Sequence, residues 1–183
     1  MFTKMKKELK EIIEIPSEVQ VEITPLIIKT KGPKGETQKK IHHPSIKIEK
    51  QNSSIVLTAE KTTKNEKKIL NTLESHIKSL IEGVVDGFEY EMKICSGHFP
   101  MSVSLDKNIL TIKNFFGEKV PRKAKILPGV EAKISGDKIT ISGCNKESVG
   151  QTCSNIEQAT RRTSFDRRVY QDGIWMTQKY KRK

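Results

Sequence analysis

Residues 69–94 read Ile69-Leu-Asn-Thr-Leu-Glu-Ser-His-Ile-Lys-Ser-Leu-Ile-Glu-Gly-Val-Val-Asp-Gly-Phe-Glu-Tyr-Glu-Met-Lys-Ile94, and within them the hydrophobic period changes. Ile69, Leu73, Ile77, Leu80 and Ile81 fall on one face at helical spacing, and Gly83 is placed to end that helix. Phe88, Tyr90, Met92 and Ile94 then alternate, the pattern of a half-buried strand. A helix that runs directly into a strand of alternating pattern points to a sheet with a helix packed on one face, the α+β class.

Upstream, Val19, Val21 and Ile23 alternate, and the segment 26–32 forms a second strand. Lys31-Gly-Pro-Lys-Gly-Glu36 reads as a hairpin turn, since proline fixes φ and glycine permits positive φ. Ile46 with Ile48, and Ser54 to Thr58, give two more strands. Downstream the same order returns. Val21-Glu-Ile23 recurs as Val103-Ser-Leu105, Gly35-Glu36 as Gly117-Glu118, Ile55 to Thr58 as Ile139 to Ser142, and Asp86-Gly87-Phe88 as Asp172-Gly173-Ile174. Val149, Cys153, Ile156 and Ala159 or Thr160 make a shorter helical face. A preserved order at nearly constant spacing marks a tandem duplication, and two copies exclude a solenoid. The expected domains are residues 1–92 and 93–183, with the strand from Phe88 joining the copies.

The charge is divided unequally between these copies. The chain of 183 residues carries a formal net charge of +12, of which residues 1–92 hold +2 and residues 93–183 hold +10. A polyanion would be drawn to the second copy. The excess concentrates in the terminal stretch from Arg161, where Arg161, Arg162, Arg167, Arg168, Lys179, Lys181, Arg182 and Lys183 face only Asp166 and Asp172. Phe165, Tyr170, Trp175 and Tyr180 are interleaved with them. Cations suit phosphates and planar groups stack on bases, so nucleic acid is the expected ligand. A solvated basic end is the bland alternative, and Tyr170 and Trp175 serve equally well as core or stacking residues. Asp172-Gly173 is expected to form a tight turn, with glycine allowing positive φ or close backbone approach.

Other chemistry finds little support. The Gly-Pro-Lys-Gly turn lacks the Gly-Lys-Ser/Thr ending of a phosphate loop. His42 and His43 point to opposite faces if extended, and no ligand lies at zinc spacing, so no metal or cofactor is expected. His76 is expected beside the core and His98 at a hinge. No nucleophile-base arrangement is visible, and the protein is not expected to be an enzyme or to bind a small-molecule substrate. Three scattered cysteines fit a reducing compartment, and no apolar run is long enough for a membrane span. A cytoplasmic location is expected.

Short motifs in fixed order carry a resemblance. They are Ile15-Pro16, Lys31-Gly-Pro-Lys-Gly-Glu36, Gly83-Val84 and Gly87-Phe88 in the first copy. In the second they are His98-Phe99-Pro100, Asn114-Phe115, Gly117-Glu118-Lys119, Pro128-Gly129-Val130, Gln158-Ala159-Thr160 and Asp172-Gly173-Ile174. The chain resembles the archaeal and eukaryotic branch of the universal large-subunit ribosomal protein six family. The resemblance implies two related α+β domains, each a small antiparallel sheet with a helix on one face. It implies a structural role in the large subunit, with rRNA bound mainly by the second domain near the translation-factor site and sarcin–ricin loop. Neighbouring ribosomal proteins are the other implied partners. A non-ribosomal RNA- or DNA-binding module is the alternative. Arg161, Arg162, Arg167, Arg168, Tyr170, Gly173, Trp175, Lys179, Lys181, Arg182 and Lys183 are the expected rRNA-binding residues. Lys31, Lys34, Lys119, Arg122 and Lys123 are expected as secondary contacts. The family usually has an aliphatic residue where Arg162 stands and a basic one where Phe165 stands. It usually has phenylalanine at Tyr170 and tyrosine at Trp175.

Overall fold

The computed structural model describes residues 8–41, 43–59, 62–166 and 168–179. The chain divides into two compact units, the break falling between Asp86 and Gly87.

In the first unit, strand β1 (Leu9–Glu14) pairs antiparallel with β6 (Ser54–Ala59), which also pairs with β5 (Lys47–Gln51). Strands β2 (Gln20–Ile23), β3 (Ile27–Gly32) and β4 (Gly35–Lys40) form a second antiparallel sheet. Helix α1 (Lys64–Val85) covers both sheets, packing on β3, β4, β1 and β6. A capping box starts it: the Thr63 N–H donates to Glu66 at 2.9 Å, and the Thr63 hydroxyl oxygen accepts from the Asn65 N–H. Its buried face is Leu70, Ile77, Leu80, Ile81 and Val84, against Ile28, Ile55 and Leu57 of the strands. Gly83 does not end the helix; it lies buried within it, because the apolar face runs on to Val84. Termination comes at Gly87, whose φ of +75° supplies the left-handed residue after the Asp86 cap.

The β3–β4 turn is the expected hairpin, and it is docked. The Lys34 N–H donates to the Val84 carbonyl at 3.0 Å, and a Cβ on Gly32 would stand 2.8 Å from that same oxygen. Glycine is needed there because backbone meets backbone.

The second unit repeats the plan. Strands β8 (Ser102–Asp106), β9 (Ile109–Lys113) and β10 (Arg122–Lys125) form one sheet, and β11 (Val130–Ser135), β12 (Lys138–Gly143) and β7 (Phe88–Cys95) belong to another. Helix α2 (Lys146–Ala159) begins at Asn145, whose side-chain oxygen accepts the Glu147 N–H, and buries Val149, Cys153 and Ile156. Each unit thus distributes its strands over two small antiparallel sheets under one helix, a duplicated α+β architecture.

The strand following each helix is the instructive difference. Strand β7 follows α1 in sequence, yet its hydrogen bonds run to β12 and to β13 (Gly173–Gln178) of the second unit. It occupies beside β12 the place that β1 takes beside β6. Strand β13 follows α2 and closes the free edge of β7, making that sheet four-stranded. The sequence boundary after residue 92 therefore falls inside β7. Asp172-Gly173 is not a turn, because β13 starts at Gly173; the glycine serves both a φ of +155° and close approach, since a Cβ there would stand 3.2 Å from the Trp175 indole.

Candidate nucleic-acid interface

The segment between α2 and β13 is irregular, and its two ends are tied together. Thr160, the buried C-cap of α2, accepts the Ile174 N–H on its hydroxyl at 3.1 Å. Glu157 accepts the Met176 N–H at 3.2 Å. Residues 161–172 consequently leave and re-enter the domain at almost one point, which projects them as a loop on a fixed base. A second anchor holds the loop's far end. Buried Asp172 accepts the Gly97 N–H at 2.8 Å and the His98 N–H at 3.1 Å, with His98 Nδ1 at 3.2 Å from its carboxylate. Burial opposes the carboxylate charge, but the two amides and the imidazole outweigh it and hold the pKa below the ordinary aspartate value.

Inside the loop, Asp166 accepts the Arg168 N–H and faces the guanidinium with two bonds, Nε to Oδ1 at 3.1 Å and Nη2 to Oδ2 at 2.9 Å. The Asp166 carbonyl accepts the Val169 and Tyr170 N–H groups, closing a local turn. Arg168 is thus exposed but paired, and the arginine beside it keeps the Asp166 carboxyl below its usual range.

Arg161 is exposed. Arg162 instead lies over rings: its guanidinium carbon is 4.1 Å from the Phe165 centroid and 4.9 Å from that of Phe116. Phe116 and Phe165 belong to a wider group in which His98 and Tyr170 centroids are 5.0 Å apart and Phe165 meets Tyr170 edge-on at 5.0 Å. Trp175 is half-buried, and its Nε1–H donates to the Gln171 carbonyl at 3.0 Å. Tyr170 keeps 37% of its surface exposed.

The turn from β9 to β10 supplies the neighbouring wall. Arg122 points inward. It forms a two-point bond with Glu118, donates through Nη1 to the Ala159 and Arg161 carbonyls, and lies 4.4 Å from the Phe115 centroid. Its donors satisfy the carbonyls at the end of α2, the place where Lys34 N–H meets Val84 in the first unit. Arg122 is therefore a strut, and the Glu118 carboxyl is held low by that hydrogen bond despite partial burial. Lys119 and Lys123 are exposed on the same hairpin, and Lys179 is exposed at the end of β13. Lys31 and Lys34 are exposed in the first unit. Arg167, Lys181, Arg182 and Lys183 lie outside the described residues, as does His42.

The structure therefore gathers Arg161, Arg162, Tyr170 and Trp175 around one hollow, with Phe116, Phe165 and Asp172 completing it. Sequence reading missed Phe116, His98 and the Asp172 anchor. His98 is no hinge residue, since it joins Asp172 to the ring group. Among the described residues no group of three His, Cys, Asp or Glu side chains is placed to hold a metal ion. Among the described residues no helix is long and apolar enough to cross a membrane. Cys153 is buried, and desolvation together with Glu157 pushes its thiol up to about 12.

The sequence model of the family described as Ribosomal protein L6 matches residues 15–87 and again residues 99–173, one match in each unit. Large ribosomal subunit protein uL6 of Methanosarcina mazei is 47% identical over 175 residues, covering 96% of this chain and 99% of that protein. The proteins of the same name from Methanobrevibacter smithii and Methanothrix thermoacetophila are 43% and 41% identical. Those alignments cover 93% and 96% of this chain, and 96% and 99% of the relatives.

Proposed function

The chain belongs to the ribosomal protein L6 family, and from that premise we propose that it is a structural, non-enzymatic constituent of the large ribosomal subunit. It binds large-subunit rRNA mainly through its second domain, near the translation-factor site and the sarcin–ricin loop, in the cytoplasmic ribosome. Functionally the chain divides into residues 1–92, which carry contacts to neighbouring ribosomal proteins and limited RNA contact through Lys31 and Lys34, and residues 93–183, which carry the rRNA contacts.

The observation that carries this reading is the pinned loop 161–172, which presents the cationic tail on a base fixed by Thr160 and Asp172. Holding the loop ends before binding lowers the ordering cost that a free basic tail would meet. Arg161 and Arg162, with Arg167 and Arg168, supply phosphate neutralisation; Lys119, Lys123 and Lys179 extend it, and Lys181, Arg182 and Lys183 continue the charge along the RNA. Arg168 engages a phosphate by exchanging or sharing its Asp166 partner.

The test is salt-dependent binding of the full chain to deproteinised archaeal large-subunit rRNA. Replacing Arg161, Arg162, Arg167 and Arg168 by glutamine should flatten the log–log salt slope by about 3 to 4 units. Neutralising Lys31 and Lys34 should change it far less. An unchanged slope in the four-arginine variant would overturn the assignment. Co-sedimentation with large subunits at high salt separates this reading from a non-ribosomal nucleic-acid-binding module.

A further inference from the structure

The backbone between β9 and β10 is held in an unfavourable shape. Asn114, Phe116 and Gly117 have φ of 59°, 51° and 74°. A left-handed phenylalanine is an outlier, costly because its Cβ crowds the backbone, and such residues persist where the surroundings impose them. Here the alternation sends Phe115 into the core and Phe116 out onto the ring group.

That group is assembled from three separate segments, His98, Phe116, and the loop residues Phe165 and Tyr170. Each segment is fixed. Asn114 Nδ2 donates to the Pro100 carbonyl at 3.0 Å, Asp172 grips Gly97 and His98, and Arg122 braces the end of α2. Yet the rings are not sequestered. Phe165 and Tyr170 keep 38% and 37% of their surfaces in solvent, and Phe99 beside His98 keeps 48%. Adjoining exposed rings form a contiguous apolar patch, the kind of surface that marks an interaction site.

We propose that Phe165 and Tyr170, backed by Phe116, His98 and Arg162, form a rigid stacking platform for an unpaired nucleobase of the RNA. This deepens the rRNA-binding reading above and rests on it. Charge complementarity selects the occupant: exposed Arg161, Arg168 and Lys119 are the cationic neighbours that a sugar-phosphate backbone requires, and an apolar protein surface would not. The Arg162 guanidinium carbon, 4.1 Å from the Phe165 centroid, holds a cation beside the ring, where its N–H donors can serve a phosphate oxygen. The base must be unpaired, because the ring faces cannot reach bases inside an A-form duplex.

The test uses the full chain, a short RNA duplex, and the same duplex carrying one bulged 2-aminopurine. The platform predicts tighter binding of the bulged duplex by about 5- to 150-fold, with quenched 2-aminopurine emission. The double variant F165L/Y170L should lose that preference and bind the two RNAs alike. Phe165→Trp should retain the preference, which separates ring loss from misfolding. Persistence of the preference in the double variant, or an equal loss for both RNAs, would overturn the platform. Equal wild-type affinity for the two RNAs would also remove the platform and leave general RNA binding standing. Failure to bind either RNA would remove the underlying reading as well.

Discussion

The guanidinium carbon of Arg162 lies 4.1 Å from the centroid of the Phe165 ring, a cation-ring contact between residues three positions apart in the loop. A cation-ring contact is symmetric in what it needs: one planar cation, one apolar face.

The contact should be measurable as a coupling. A double-mutant cycle on R162A and F165A is expected to give about 0.5–1 kcal/mol between the two sites, read from urea midpoints at constant m. Additive single effects would show that the residues merely lie side by side.

Asp172 should make stability acid-sensitive. Its folded pKa is depressed, so its contribution is complete above the unfolded value of about 3.9 and fades as pH falls through the folded one. Asp172→Asn keeps the shape but replaces a charged acceptor by a neutral one, at an expected cost of about 1–3 kcal/mol near neutral pH. The difference between wild type and variant should shrink in unfolding curves taken below pH 4.

Arg122 should behave as a structural residue. Arg122→Lys removes the fork that serves Glu118 and two carbonyls together, and is expected to cost about 1.5–3 kcal/mol. Glu118 is also held low, so the Arg122–Glu118 part of the stability is present above the ordinary glutamate range and disappears on acidification. Unfolding midpoints of wild type and R122K at neutral and acid pH test both statements.

The thiols should separate by burial. Cys95 and Cys144 are half-exposed and Cys153 is buried with its pKa pushed up to about 12. A thiol reagent at neutral pH is expected to label the first two in the native protein and Cys153 only on unfolding. Mass spectrometry of the labelled peptides gives the order directly.

Helix α1 was legible because one apolar face over several turns has few alternative explanations, and the β3–β4 hairpin because its glycines and proline admit few backbones. The Gly83 stop was misplaced since glycine marks a helix end only when no apolar face continues beyond it. Strand β1 escaped notice beneath the lysines and glutamates of its outer face, where Lys10, Ile12 and Glu14 are exposed while Ile13 faces the core.

What the sequence determined by itself was local or additive: periodicity, the order of the two copies, and a charge excess confined to one of them. Partner choice among these pieces belonged to the tertiary structure. Strand β7 follows the first helix in sequence yet pairs within the second unit, because β12 and β13 offer its backbone hydrogen bonds on both edges. The basic tail likewise acquired its form from distant residues, Thr160, Gly97, His98 and Arg122, whose bonds fix the loop ends and brace its base. Composition can say that a segment is cationic and aromatic. Only contacts between residues far apart in sequence decide that Arg122 is a strut for the end of the second helix and that His98 and Phe116 meet Phe165 and Tyr170.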